Sequence, residues 1–187
     1  MRVISGSARG TKLNSIDSLD TRPTLDRVKE SLFNIIQSQI DEECIVLDLF
    51  AGSGAIGIEF LSRGAQKAFF CEKSHIASDM IRKNLIKTNF INKSEILEKD
   101  FKKCLLELSN RKLKFNSIFI DPPYKENIAI KAVELIISLD LLQKDGLIIV
   151  ETDEEERELE ELKNMQVEVK DLRKYGRVHL IFLNRKE

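Results

Sequence analysis

The chain has 187 residues, 42% hydrophobic and 33% charged, with a net charge of −1 at neutral pH. That is enough for one domain with a full hydrophobic core and too little for two ordinary ones, so residues 1–187 are expected to form a single domain, with an extension over 1–40 and a core over 41–187. No apolar run approaches the roughly eighteen residues of a membrane span, the start Met1-Arg2-Val3-Ile4-Ser5-Gly6 is not a secretory signal, and the charge is not that of a general nucleic-acid binder; a cytoplasmic monomer away from membranes is expected.

Residues 1–13 carry Arg2, Arg9 and Lys12 without an acid. Gly6 and Gly10 lie between Val3-Ile4 and Lys12-Leu13, which predicts a short basic hairpin. A helix is predicted over about 24–39. From Cys44 onward, short apolar runs alternate with helical patterns, the signature of βα units around a mostly parallel sheet. The predicted strands are 45–49, 68–71, 95–97, 117–120 and 147–150, and helices are predicted to begin near Gly54, Ser74, Phe101 and Asn127. Behind Ser74, a plausible N-cap, Ile76, Met80, Ile81 and Leu85 recur at helical spacing and read as core. Residues 151–161 are strongly acidic and read as a solvated helix face, with the helix itself over about 154–162. Two further runs, 166–172 and 178–183, flank Tyr175-Gly176 and predict an antiparallel hairpin closing the sheet. Cys44 and Cys71 fall inside apolar runs and read as reduced core thiols. No Cys-x-x-Cys pair occurs, and His75 and His179 stand far apart, so no metal site is expected.

Asp48 ends an apolar run, and Gly52, Gly54 and Gly57 follow at the start of a helical pattern. Glycines there let the backbone turn tightly and approach a ligand, while the helix N-terminus presents free amides. Taken alone, Gly52-x-Gly54-x-x-Gly57 also fits a dinucleotide fingerprint, with Glu72 near the distance of a ribose-binding acid. Asp48 tips the balance, because a carboxylate facing the helix amides repels a pyrophosphate and suits a cationic, amino-acid-bearing ligand. Glu72 is placed to accept from ribose hydroxyls, and Asp100 from an adenine amino group. The loop Asp48-Leu49-Phe50-Ala51-Gly52-Ser53-Gly54 is therefore expected to receive S-adenosylmethionine.

Asp121-Pro122-Pro123-Tyr124 follows the apolar run 118–120 and is the most specific feature of the chain. Successive prolines hold an extended backbone without N–H groups, which frees the Pro122 carbonyl to face a substrate. With the Asp121 carboxylate it forms two acceptors for the two hydrogens of a planar amine such as guanine N2. They fix its orientation and favour the positive charge that grows on nitrogen as it attacks a methyl group. Asp121 can also take the surplus proton, and Tyr124 can stack on the base.

These features resemble a known family over essentially the whole chain, the RsmD-type 16S ribosomal RNA guanine-N2 methyltransferases of bacteria. The resemblance is carried by Arg2-Val3-Ile4-Ser5-Gly6-Ser7-Ala8-Arg9-Gly10-Thr11-Lys12-Leu13 and by Arg22-Pro23-Thr24-Leu25-Asp26-Arg27-Val28-Lys29-Glu30-Ser31-Leu32-Phe33-Asn34. It implies a Rossmann-like class I methyltransferase fold, α/β, with a mostly parallel seven-stranded sheet ending in an antiparallel hairpin. It also implies cofactor contacts at Asp48, Phe50, Ala51, Gly52, Ser53, Gly54, Glu72 and Asp100, with Thr24 and Arg27 at the methionine end or the base entrance. Asp121, Pro122, Pro123 and Tyr124 become the amine-holding set, and Arg2, Arg9, Lys12 and Arg22 the contacts to RNA phosphates. The implied substrate is one guanine of the small-subunit RNA, within the subunit or its assembly intermediate. Where the family usually has a glycine pair this chain has Ser5-Gly6. Two rival readings are adenine-N6 or glutamine methylation, whose motifs more often begin with Asn, and a nicotinamide-dependent dehydrogenase built on the glycine loop.

Overall fold

The structure is a computed structural model that describes residues 1–15, 23–123 and 127–186. Its centre is a seven-stranded sheet made of β1 (Ile45–Asp48), β2 (Lys67–Glu72), β3 (Ser94–Glu98), β4 (Phe115–Ile120), β5 (Leu142–Thr152), β6 (Val167–Tyr175) and β7 (Val178–Arg185), in the order β3-β2-β1-β4-β5-β7-β6. The first five strands are parallel, whereas β7 pairs antiparallel with both β5 and β6. This is the expected mostly parallel sheet finished by a hairpin. The order reverses between β1 and β4, and open α/β sheets place ligands at such a switch point, beyond the carboxyl ends of the strands.

The central strands read as unbroken apolar runs because helices cover both faces. On one face Val46, Phe119, Ile149 and Phe182 pack against Leu32, Phe33 and Ile36 of α1 (Pro23–Ile36) and Ile58 and Phe60 of α2 (Ala55–Ser62). Ile81 and Leu85 of α3 (His75–Lys87) join them. On the other face Leu47, Ile118 and Ile148 meet Leu105 and Leu108 of α4 (Phe101–Asn110) and Val133 and Ile136 of α5 (Ile128–Ser138). No described helix is long and apolar enough to cross a membrane. Cys44, Cys71 and Cys104 are all buried and reduced. The thiols of Cys71 and Cys104 both approach the Lys99 carbonyl at 3.7 Å.

Several local expectations are corrected. α1 begins on Pro23, whose fixed φ and missing N–H suit a first helical position, and it yields to a single 3-10 turn at Gln37–Gln39. β5 is much longer than the predicted 147–150, because its start pairs with Phe115 across a register shift between Phe115 and Ser117. Ile76, read as core, is 68% exposed in the first turn of α3, where Ala77 and Ser78 face inward instead. The acidic stretch is not simply solvated: Glu151 in β5 and Glu155 and Glu158 in α6 (Glu155–Leu162) are buried.

The N-terminal hairpin is reduced to one antiparallel bridge, Arg2 with Lys12, flanked by Val3 N–H to the Thr11 carbonyl and Leu13 N–H to the Met1 carbonyl, each at 3.0 Å. Its backbone is spent elsewhere. The amides of Ile4 and Ser5 donate to the two oxygens of Glu59 at 2.8 and 2.9 Å, and Ser62 Oγ donates to the Ser5 carbonyl at 2.6 Å while accepting from Ala8 N–H at 3.0 Å. The turn lies directly on the end of α2. Gly6 has φ +84°, and a Cβ there would sit 1.7 Å from the Ser62 carbonyl oxygen. The Ser5-Gly6 pair is thus defined: Gly6 makes the close approach, and Ser5 contributes only its backbone.

Candidate active site

Asp48, Asp121 and Glu151 come together at the carboxyl ends of three neighbouring strands, β1, β4 and β5. Asp48 closes β1, and its Oδ2 accepts from the Gly57 amide at 3.0 Å in the first turn of α2. Burial pushes its carboxyl up to about 7, against that hydrogen bond, and the charges of Asp121 and Glu72 push the same way. The loop that follows turns on Gly54, at φ +77°, where only glycine is unstrained. Its amide donates to the Ala51 carbonyl at 2.7 Å, and the Ala51 amide donates to Cys71 of β2 at 3.0 Å. Beside Gly52 a Cβ would meet nothing within 4 Å, so the space next to that backbone is open.

Glu72 ends β2 and staples the loop, its Oε2 accepting from the Gly52 amide at 3.0 Å and its Oε1 from the Ser74 amide at 2.8 Å. Asp100 caps α4, accepting from the Lys102 amide at 3.0 Å, and also stands on the cavity wall. The Phe50 and Phe101 rings lie 5.4 Å apart. A cavity of about 240 Å³ opens between them, lined by Glu72, Asp100, Asp121 and Pro123. A second, of about 170 Å³, is lined by Asp48, Gly52, Ser53, Asp121, Lys29 and Glu151. Phe50 and Asp121 border both, so the two are adjoining arms of one cleft at the switch point.

Asp121 stands one residue beyond β4. Burial lifts its carboxyl to about 7. Pro122 is buried and Pro123 exposed. Tyr124 and Arg22 lie outside the described residues, as does the side chain of Thr24, whose backbone is in the first turn of α1. Arg27 is exposed and lines neither cavity. Arg2, Arg9 and Lys12 are exposed on the turn docked against α2, and none of the three lines either cavity.

Three residues of the site's framework escaped the sequence reading. Glu59, wholly buried, receives the Ile4 and Ser5 amides, the Arg63 guanidinium at 2.9 Å and the Lys29 ammonium at 3.2 Å. Lys29 also donates to the Arg2 carbonyl at 2.5 Å, and burial lowers its pKa despite Glu59. Asn84 of α3 donates to the carbonyls of Ser53 at 2.9 Å and Asn14 at 3.0 Å, and accepts from the Asn14 amide at 2.8 Å, tying the glycine loop to the end of the N-terminal segment. The available signals were a lone acid in the otherwise apolar α2 and a lysine on the buried stripe of α1 beside Val28 and Leu32.

A parallel sheet with a glycine loop after β1 and an acid-proline-proline turn after β4 defines a methyltransferase of the Rossmann-like class. The family model described as Conserved hypothetical protein 95 matches residues 1–184. YlbH of Bacillus subtilis is 40% identical over 155 residues, covering 83% of this chain and 84% of its own. The Haemophilus influenzae ribosomal RNA small subunit methyltransferase D is 38% identical over 157 residues, covering 83% and 80%. The solved structure of Escherichia coli yhhF superposes with a TM-score of 0.82 at 28% identity, covering 100% and 98%. The chain belongs to this family, the RsmD-type ribosomal RNA small subunit methyltransferases.

Proposed function

We propose that this protein transfers a methyl group from S-adenosylmethionine to the exocyclic N2 amine of a guanine in 16S ribosomal RNA of the small subunit. The observation that carries the reading is the convergence of Asp48, the glycine loop and Asp121 on one cleft, which sets a cofactor loop and an amine-holding turn side by side at the switch point. The residues fit the cofactor. Buried carboxylates at Asp48 and Asp121 border a cleft suited to a cation, and the Asp48 carboxylate takes the Gly57 amide that a pyrophosphate would need, which weighs against a dinucleotide.

Glu72 and Asp100 hold the adenosine part in the larger arm, beside Phe50 and Phe101, while Asp48 and the 51–54 backbone hold the amino-acid part in the smaller. When bound, the cofactor supplies an electrophilic methyl group. Asp121 and the Pro122 carbonyl accept the two amine hydrogens and orient the nitrogen lone pair, and Asp121 receives the proton that the nitrogen gives up. Tyr124 stacks on the base, Arg2, Arg9, Lys12 and Arg22 meet RNA phosphates, and Thr24 and Arg27 serve the methionine end of the cofactor or the base entrance. The name of the Haemophilus influenzae relative supports the small-subunit substrate. Incubating the protein with isotopically labelled cofactor and small subunits lacking the modification, then mapping label by mass spectrometry, is expected to place it on N2 of one guanine. Label on adenine, on protein or on competing DNA overturns the reading.

A further inference from the structure

We propose that Glu151 is a positioning residue for Asp121: in its protonated form it donates to the Asp121 carboxylate, fixing that group's orientation and leaving it as the single charge of the pair. The inference rests on the methyl-transfer reading of the same cleft.

The placement follows from register. β4 and β5 run parallel with Phe119 opposite Ile149 and Ile120 opposite Val150, so the next step sets Asp121 beside Glu151. Neighbouring strands lie about 4.8 Å apart, and alternate residues share a face. Asp48 is opposite Phe119, which puts Asp48, Asp121 and Glu151 on the same side of the sheet. Asp121 begins a loop, whereas Glu151 is held within β5 and paired on its far side with Leu180 of β7. The acid that must be oriented lies just outside the strand ladder, and its neighbour lies within it.

Glu151 is 9% exposed. Among the described residues neither it nor Asp121 is matched by a hydrogen-bond donor or a cation. Lys29 of α1 borders the same cavity, but its ammonium is engaged by Glu59 and the Arg2 carbonyl. On the other side stand Asp153, Glu154, Arg157 and Glu158, with Arg157 paired to Glu154, while His179 of β7 pairs with Glu155. Asp48 is held by the Gly57 amide, which leaves Asp121, among the described residues of this cavity, as the acid with which Glu151 can share a proton. Two carboxyls side by side in a buried site do not both ionise at neutral pH. Burial raises both carboxyls and the Asp121 charge raises Glu151 further; with the Asp121 carboxylate turned to the amine, the shared proton is placed on Glu151. When the amine nitrogen yields its proton to Asp121, the pair carries two protons and returns one to water through the cleft.

Two measurements test this. In cofactor-free protein with ¹³C-labelled carboxyls, NMR titration is expected to show Glu151 and Asp121 losing protons in two separated steps, and Asp121→Asn is expected to move the Glu151 step down by about one pH unit or more. A Glu151 step unmoved by Asp121→Asn overturns the pairing. In single-turnover methyl transfer the wild type is expected to lose rate above about pH 8 as Glu151 ionises. Glu151→Gln, which still donates but cannot ionise, is expected to keep the neutral-pH rate within about threefold and lose that alkaline fall, whereas Glu151→Leu is expected to lose about tenfold or more. An alkaline fall that persists in Glu151→Gln, or equal rates for the Gln and Leu variants, overturns the positioning role. Failure of the wild type to methylate guanine overturns the function reading alone, and the titration still decides the pair.

Discussion

The ammonium of Lys29 stands 3.2 Å from the carboxylate of Glu59, with both side chains removed from solvent. One belongs to α1 and the other to α2, and through Glu59 the pair also holds the amides of Ile4 and Ser5. A buried charge is tolerated only while its partners remain. Removing Glu59 takes the buried anion from two cations, Lys29 and Arg63, and the acceptor from two amides at once. Glu59→Ala is accordingly expected to lose about 3–5 kcal/mol of stability, read as a lower urea midpoint. A loss under about 1 kcal/mol, the scale of an exposed ion pair, refutes the hub.

The Gly6 turn gives a separable prediction. In Gly6→Ala the new Cβ collides with the Ser62 carbonyl and the residue is forced to a positive φ, so the turn must lift off α2. The cost is expected to exceed about 1 kcal/mol. Because the turn carries Arg2 and Arg9 but not the cofactor loop, small-subunit affinity should fall by a larger factor than cofactor affinity. Filter binding and calorimetry on the same preparation compare the two, and equal losses contradict the assignment of the turn to RNA.

Cofactor and amine contacts should part company. Asp48→Ala removes the Gly57 contact and Glu72→Ala the Gly52 contact, and each is expected to weaken S-adenosylhomocysteine binding about tenfold or more. Asp121→Ala is expected to leave that binding within a few-fold and cut methyl transfer about 10²–10⁴-fold. Calorimetry and single-turnover rates are the measurements, and full activity in Asp121→Ala ends its proposed role.

Stability of the cofactor-free protein should fall with rising pH. Asp48, Asp121 and Glu158 are raised to about 7 and Glu151 to about 8, all by burial first. Between the ordinary carboxylate range and those values the folded chain binds more protons than the unfolded chain, so the slope of stability against pH is negative. Thermal melts are expected to drop from about pH 5 to about pH 8, and a bound cation should recover much of the loss. A flat or rising profile contradicts the raised carboxyls.

Much of the frame was legible because period and punctuation report local structure. Apolar runs ending at Asp48 and Ile120 located β1 and β4, and Ser74 marks the start of α3, its Oγ accepting from the Ala77 amide. What escaped depends on packing at long range. Glu59 reaches residues more than fifty positions away, and Asn84 spans seventy to Asn14. Glu151 lay in an acidic run that composition alone assigns to water, although it follows 147–150 as Asp121 follows 118–120. Ile76 failed in the opposite sense, since a helical stripe at a first turn can overhang the edge of the sheet.

All three thiols are buried, and two of them are also held in the protonated form. Cys44 is pushed up to about 11, and Cys71 is raised by its contact with Cys104 and by desolvation. A thiol without appreciable thiolate reacts slowly with alkylating reagents. Modification therefore has to wait until the chain opens. Cys44 precedes β1, Cys71 lies in β2 and Cys104 in α4, so the native sequence carries its own reporters of local opening, readable as alkylation rates by intact mass without introducing a label site.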